Sequence, residues 1–364
     1  QRQDLSNVNR TIANADLDYT FPFFKDLRAH ANVGIDVSNG SGTIFIPGTA
    51  ASSFKRFNGK GGVNNEYKQE NSNLLAETYL NYSKYVENIE SKFDVVAGYA
   101  YQEFKSKNFN FNDLTEDGTV VNAPNFPFDI PENRLVSFYG RFNYALKGKY
   151  SLTASIRQDG SSRFNADNRF ATFPSFAAAW NLAEEPMFKQ SKVISALKLR
   201  FGYGETGQQD GIGNYDYLSY YALSGQQGKY QFGNTFYNMY APGGYYGGRK
   251  WEQTATTNLA LDFGLFNNKL TGSLDIYKKV TSDLLNLVGQ PAGANFSNQV
   301  IANVGDMENK GVELGLNLQA VNKANFNWEL GFNITYNENK ITNLTISPDP
   351  NYPGNKYGGI SGGV

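Results

Sequence analysis

Leu259-Ala-Leu-Asp-Phe-Gly-Leu265, Phe266-Asn-Asn-Lys269 and Leu270-Thr-Gly-Ser-Leu-Asp-Ile276 follow one another and decide the fold. The outer two pieces alternate apolar with small or polar residues, and the middle piece is a tight turn. A Gly/Pro/Asn-rich excursion follows, through Val288-Gly-Gln-Pro-Ala-Gly-Ala-Asn-Phe296. Val312-Glu-Leu-Gly-Leu-Asn-Leu-Gln319 then alternates, 321–325 turns, and Trp328-Glu-Leu-Gly-Phe-Asn-Ile-Thr-Tyr336 alternates back. Alternation of period two over such lengths means strands with one apolar and one polar face. Short turns on one side and long loops on the other mean hairpins of one orientation. That is the pattern of an all-β, antiparallel transmembrane β-barrel.

Working outward from this stretch, about twelve strands can be placed. They cover 15–24, 28–38, 74–86, 92–105, 135–146, 150–159, 171–183, 197–206, 254–266, 269–285, 311–320 and 326–341. Short connections (25–27, 87–91, 147–149, 267–268, 321–325) alternate with long ones (39–73, 106–134, 160–170, 208–253, 286–310). The segment 184–196 falls on the short side; its Glu184-Glu-Pro-Met-Phe188 start predicts one helical turn, with Pro186 near the N-terminus. A soluble sandwich would carry short turns at both ends. Short turns are expected in the periplasm and long loops outside.

Parity assigns the faces. Val136, Phe138, Phe142 and Tyr144 share one side, against Ser137, Tyr139, Arg141 and Asn143. Leu152, Ala154 and Ile156 oppose Ser151, Thr153, Ser155 and Arg157; Leu314, Leu316 and Leu318 oppose Glu313, Asn317 and Gln319. The first set of each is expected to meet lipid and the second the lumen.

Composition agrees. The 364 residues carry 34 acidic and 33 basic side chains, one histidine and no cysteine. Near-neutral charge gives no argument for nucleic acid. The absence of thiols excludes a disulfide scaffold and thiol metal sites. Charged residues make up 18%, below the roughly 25% of soluble domains, and aromatics reach 15%. Tyr and Phe suit strands and membrane interfaces. No apolar run is long enough for a transmembrane helix. No signal peptide is visible, and Gln1 starts as abruptly as 358–364 stops, so the chain reads as a window from a longer one.

Candidate chemistry is sparse. Gly202-Tyr-Gly-Glu-Thr-Gly207 has dinucleotide-loop spacing, but loop residues follow it where a helix is needed. Gly359-Ile-Ser-Gly-Gly363 has nucleophile-elbow spacing without its strand and helix. His30 is the only histidine available to a triad and reads as a luminal or interfacial strand residue. Asp113, Glu116 and Asp117 cluster in a loop without EF-hand spacing, so a solvated loop is favoured over bound calcium. Asp159, Arg163, Asp167 and Arg169 read as a salt-bridged strand end. No catalytic, cofactor or metal residues are assigned.

The aromatic loop between Tyr215 and Trp251 is different in kind. So much ring surface packs on itself, packs on a partner or binds a ligand. Tyr217, Tyr221, Tyr237, Tyr240 and Tyr245, with Asn214, Gln226 and Asn238 as hydrogen-bonding partners, are the candidates for ligand or lid contact. Sugar rings stack on aromatic faces, and amides satisfy hydroxyls. The plainer alternative is a self-packed loop that narrows the pore.

Several ordered blocks carry a family resemblance. Arg157-Gln-Asp-Gly-Ser-Ser-Arg-Phe164, Phe173-Pro-Ser-Phe176 and Leu199-Arg-Phe-Gly-Tyr-Gly-Glu-Thr-Gly-Gln-Gln209 resemble the SusC/RagA-type TonB-dependent outer-membrane transporters. So do Lys250-Trp-Glu-Gln-Thr-Ala-Thr-Thr-Asn-Leu-Ala-Leu-Asp-Phe-Gly264, Pro291-Ala-Gly-Ala-Asn-Phe-Ser297 and Asn303-Val-Gly-Asp-Met-Glu-Asn-Lys-Gly-Val-Glu313. The resemblance implies a plugged barrel of about 22 strands, of which residues 1–364 would be part. Plug and signal peptide would lie before Gln1, and further strands after Val364. It also implies a SusD-like surface lipoprotein lid, the TonB complex acting through the N-terminal part, and an oligosaccharide or a peptide as ligand. A passive porin is the rival reading that strand physics alone leaves open. A barrel enzyme is disfavoured because no triad or metal site assembles.

Overall fold

The computed structural model describes residues 1–224, 228–289, 293, 295–297 and 299–343. In one sheet, which a short thirteenth strand, Phe128–Asp129, joins by pairing with Asn108 and Phe109, twelve antiparallel strands run in chain order. They are β1 (Gln3–Thr20), β2 (Leu27–Ile46), β3 (Val63–Val86), β4 (Ser91–Phe109), β5 (Glu132–Leu146) and β6 (Tyr150–Ser161). The second half is β7 (Phe170–Asn181), β8 (Ile194–Gln208), β9 (Glu252–Leu265), β10 (Leu270–Ser282), β11 (Asp306–Lys323) and β12 (Phe326–Asn343). Each expected strand is present, and short and long connections alternate as the sequence predicts except around β7, where the short-side connection 182–193 is longer than 162–169 on the long side.

Registry carries the parity across strands. Ile276 pairs with Val312, Leu274 with Leu314, and Leu270 with Leu318. The same row continues as Val312–Tyr336, Leu314–Ile334 and Leu316–Phe332. This outer face ends in aromatics at the short-turn end: Phe24 stacks on Tyr82, Phe93 meets Tyr144, and Tyr150 stacks on Trp180. Beyond Ile276 and Val312 it turns charged, with Lys278–Glu308 at 2.9 Å and Lys310–Glu338 at 3.3 Å. An apolar band bounded by rings and charges is the outside of a membrane barrel.

The opposite face is a hydrogen-bonded polar wall. Asn81 and Asn143 both donate to Asp94, at 3.0 and 3.1 Å, and Thr153 donates to Asn143 at 2.9 Å. Tyr139 donates to Glu77 at 2.6 Å, and Arg200 grips Asp262 with two bonds of 2.7 and 2.8 Å. His30 belongs to this wall: Nδ1 lies 3.0 Å from Asp18, and the ring stacks on Tyr79.

Bulky rings on this sheet lie over glycines of the neighbouring strand. Tyr139 pairs with Gly98, where an added Cβ would come within 2.5 Å of the ring. Tyr277 pairs with Gly311, where its hydroxyl would be 2.5 Å from such a Cβ. Phe263 covers Gly272 and Phe170 covers Gly160 in the same way.

Two boundary expectations are corrected. The predicted loop 39–73 is mostly strand: Asn39 pairs with Asn9 and Glu70, and only 47–62 connects β2 to β3. Its Asn/Ser/Gly composition reads as turn, but two neighbouring ladders outweigh local propensity. At 18 to 24 residues, β1–β3 are about twice the 9–11 that cross a bilayer. Their upper halves, Asn/Ser/Gly-rich with only scattered apolar residues such as Leu5, Val8, Ile44, Phe45 and Ile46, rise past the apolar band. The turn expected at Glu184 begins earlier, as a 3-10 turn at Leu182–Glu184, before Lys189 N–H closes one turn onto the Glu185 carbonyl.

Candidate functional site

The long loops meet at one end of the sheet, and the sequence blocks quoted above build the joint. Phe164 is fully buried, with its ring 5.2 Å from Trp251. Phe173 meets the same indole edge-on at 5.9 Å. Ile212 completes this core, and Leu135, Ala171, Leu285 and Ile301 pack against the cluster. Trp251 Nε1 donates to the Arg169 carbonyl at 3.0 Å. Gly207 gives Phe173 its place, since a Cβ there would enter the ring. Of the glycines at 202–207 it is Gly207 that close packing requires; Gly202 faces open space. All three lie in or at the end of β8, and among the described residues none is followed by the helix that a phosphate loop needs.

Polar ties fix the rest. Arg249 is buried and donates to the backbone carbonyls of Ile301 (2.7 Å) and Asp216. Burial pushes its guanidinium below the ordinary value, while the charge of Asp216 works the other way. Asn303 donates to the carbonyls of Lys250 and Asp283, both at 2.8 Å, and accepts from Lys250 N–H at 2.8 Å. Asn165 donates to the Gly247 carbonyl at 2.7 Å, and Tyr215 accepts from Glu132 N–H at 3.2 Å. The base of the 209–251 loop is thus locked to three neighbouring connections.

The acidic loop is a second clamp. Asp113 accepts from Arg56 (2.6 Å) and Asn65 (2.7 Å), Asp117 pairs with Lys60 at 2.7 Å, and Glu116 accepts from Gly48 N–H at 2.7 Å. These acids tie loop 110–131 to loop 47–62. Among the described residues no group of three His, Cys, Asp or Glu side chains converges as a metal site.

The sequence-named candidates divide. Tyr221 and Tyr240 lie on a small hairpin, 70% and 68% exposed, and Tyr237 and Asn238 are also exposed. Tyr217 is half-buried, and the Tyr245 backbone is held on both sides by the Asn295 amide, at 3.1 and 2.7 Å. Asn214 accepts from Arg163 Nε at 3.0 Å and lines a groove on the luminal wall that none of the other described candidates reaches. Gln226 and the serine spacing at 359–363 lie outside the described residues.

That groove, of about 540 Å³, also contains Arg10, Asp36, Asn71, Asn73, Phe104 and Asn133. Sequence reading missed these. Asn71 and Asn73 lie in a stretch that reads as loop. Their i, i+2 spacing is the signal, since it puts both on one face of a strand.

The comparisons with known proteins meet this geometry. A family model described as TonB dependent receptor-like, beta-barrel, matches residues 1–362. The TonB-dependent receptor SusC of Bacteroides thetaiotaomicron is 38% identical over 355 residues, 96% of this chain and 35% of that protein. The TonB-dependent receptor P3 of Formosa agariphila is 35% identical over 299 residues, 78% of this chain and 28% of that protein. The chain therefore spans about a third of the length of the curated relatives it matches. Among solved structures, the RagAB peptide transporter superposes with a TM-score of 0.79 at 23% identity, over 95% of this chain and 38% of that one. At that identity the likeness concerns the fold. With its two-faced sheet of chain-ordered strands, and its long loops tied together by the blocks that carry the resemblance, this chain belongs to the TonB-dependent receptor-like β-barrel family.

Proposed function

We propose that this chain forms part of the wall and outer loops of an outer-membrane importer that draws a nutrient, an oligosaccharide, through its lumen by TonB-dependent transport. The carrying observation is the pairing of a polar, hydrogen-bonded inner wall with an aromatic-bearing loop whose base is fixed at one end. A fixed base lets exposed rings present large contact area at low entropy cost. In this reading a SusD-like lipoprotein covers the loops, and a plug before Gln1 receives the TonB complex. Residues 1–364 are then part of a barrel domain of about 22 strands. β1 and β12 each pair on one side only among the described residues, and further strands of that barrel would satisfy their free edges.

The test is paired. Tyr221, Tyr237 and Tyr240 are replaced by alanine in the full-length transporter, and growth on the nutrient and co-purification of the lipoprotein are measured. Lost growth with the lid retained indicates ligand contact, and loss of both indicates lid docking. Normal values for both would return the loop to a self-packed pore constriction.

A further inference from the structure

The luminal groove at the top of β1–β5 has the chemistry of a binding site. Arg10 and Asp36 face each other with two hydrogen bonds of 2.8 and 2.7 Å, so the pair presents little net charge. Lys105 at the margin is turned toward Glu132, at 3.8 Å. Around the pair stand the amides of Asn71, Asn73, Asn133 and Asn214. Register places them together: Asp36 pairs with Asn73, Asn73 with Phe104, and Phe104 with Asn133.

Two members are out of place for an inert wall. Phe104 lies on the polar face, 39% exposed, among amides that give it no apolar neighbour across either ladder. Asn133 is only 7% exposed, and its side chain has no hydrogen-bond partner among the described residues. Its amide atoms are not sealed off but open into the groove, where both donor and acceptor are free to take a polar occupant. The groove also sits level with the outer rim of the apolar band, where β2 passes from Val33 and Ile35 to Asn39.

The geometry points to a saccharide subsite on this wall, with Phe104 as the stacking platform and Asn71, Asn73 and Asn133 as hydroxyl partners. It rests on the importer reading and gives the ligand a station between the outer loops and the lumen. Planar amides both donate and accept, as sugar hydroxyls require. A self-paired Arg–Asp fork favours a neutral ligand over a charged peptide terminus.

The test uses the full-length transporter with its lid. Phe104→Trp keeps a platform and adds a reporter; maltoheptaose, cellohexaose and laminarihexaose are titrated, with a neutral hexapeptide beside them. The expected result is a saturable change in the fluorescence of the introduced indole, absent from the parent, with one oligosaccharide, weakened at least tenfold by Asn133→Leu. Phe104→Ala should raise the KM for uptake of that oligosaccharide while heat-modifiable gel migration stays normal. If oligosaccharide uptake is intact yet Phe104→Ala and Asn133→Leu leave KM unchanged and the reporter is silent, the subsite is wrong and the importer reading stands. A response to the peptide alone overturns the saccharide assignment. Absence of any TonB-dependent uptake by the parent overturns both.

Discussion

Arginine at Leu316 tests the two-faced wall most sharply. Leu316 lies between Gly272 and Phe332 on the outer face. Along β12 that row runs Trp328, Leu330, Phe332, Ile334, Tyr336, so Phe332 is the centre of an apolar run with an amphipathic ring at each end. Eight residue steps at about 3.3 Å give roughly 26 Å along the strand, or about 20 Å of height at a tilt of roughly 40°, which fits within the ~25 Å apolar band of an outer-membrane barrel. Leu316 is therefore at the bilayer midplane, where arginine costs about 2–4 kcal/mol. At about 1.4 kcal/mol per tenfold this is roughly 30- to 700-fold in the folding equilibrium. Asn317→Arg places the same charge on the luminal row, beside Thr271 and Gly331, and should change stability by less than about 1 kcal/mol. Urea titration of the full-length transporter in lipid vesicles measures both. Equal penalties, or a larger one for Asn317→Arg, would refute the assignment of faces.

Single cysteines at Asn234 and Asn268 should react differently on intact cells. An impermeant maleimide marks position 234 and spares 268, and the opposite pattern inverts the orientation. Phe164→Ala removes the fully buried ring of the loop joint and should cost about 3–5 kcal/mol locally. Limited proteolysis should then cut within 209–251 while the strands stay protected; unchanged protection would mean the ring carries little of the joint. The acid clamp has a defined pH response. Asp117 is held well below the usual carboxylate range by Lys60, then by Thr115 and Thr119. For Asp113, burial acts upward, but the hydrogen bonds from Asn65 and Arg56 prevail, and its value too is lowered. Both folded values lie below the ordinary 3.8, so the clamp is complete above that pH and lost as pH falls through the folded values. Hydrogen exchange in 47–62 and 110–131, corrected for intrinsic rates, should stay flat down to pH about 4 and rise only below it. A rise near pH 6 would remove these carboxylates as the cause.

The strands were legible because alternation is a direct record of facing. Leu314, Leu316 and Leu318 declare their side of β11 without help from the rest of the chain. The upper halves of β2 and β3 were not legible, because residues such as Asn39, Ser41 and Asn71 meet water on both faces and carry no apolar period. The loop joint was half legible. The blocks around Phe164 and Trp251 stood out as a resemblance, but their mutual contact joins positions nearly ninety residues apart, which no local pattern encodes. The Asn133 amide could not be singled out at all, since its lack of a partner is a property of the assembled wall.

Alternation has a blind spot that the glycine–ring pairs close. A strand slipped by one residue turns its apolar side chains inward and is rejected at once. A strand slipped by two keeps every side chain on its proper face, so neither lipid nor lumen can sense the error. The rings can. Tyr139 lies over Gly98, and a two-residue slip would set it against Val96 or Ala100, where a side chain occupies the space the ring needs. Tyr277 over Gly311 would meet Asn309 or Glu313. Each pair is a key cut for one notch, and β4–β5 and β10–β11 each carry one. During insertion, these few contacts would proofread pairings that hydrophobicity leaves ambiguous by every even step, so the register of β4 on β5 and of β10 on β11 follows from where Gly98 and Gly311 stand.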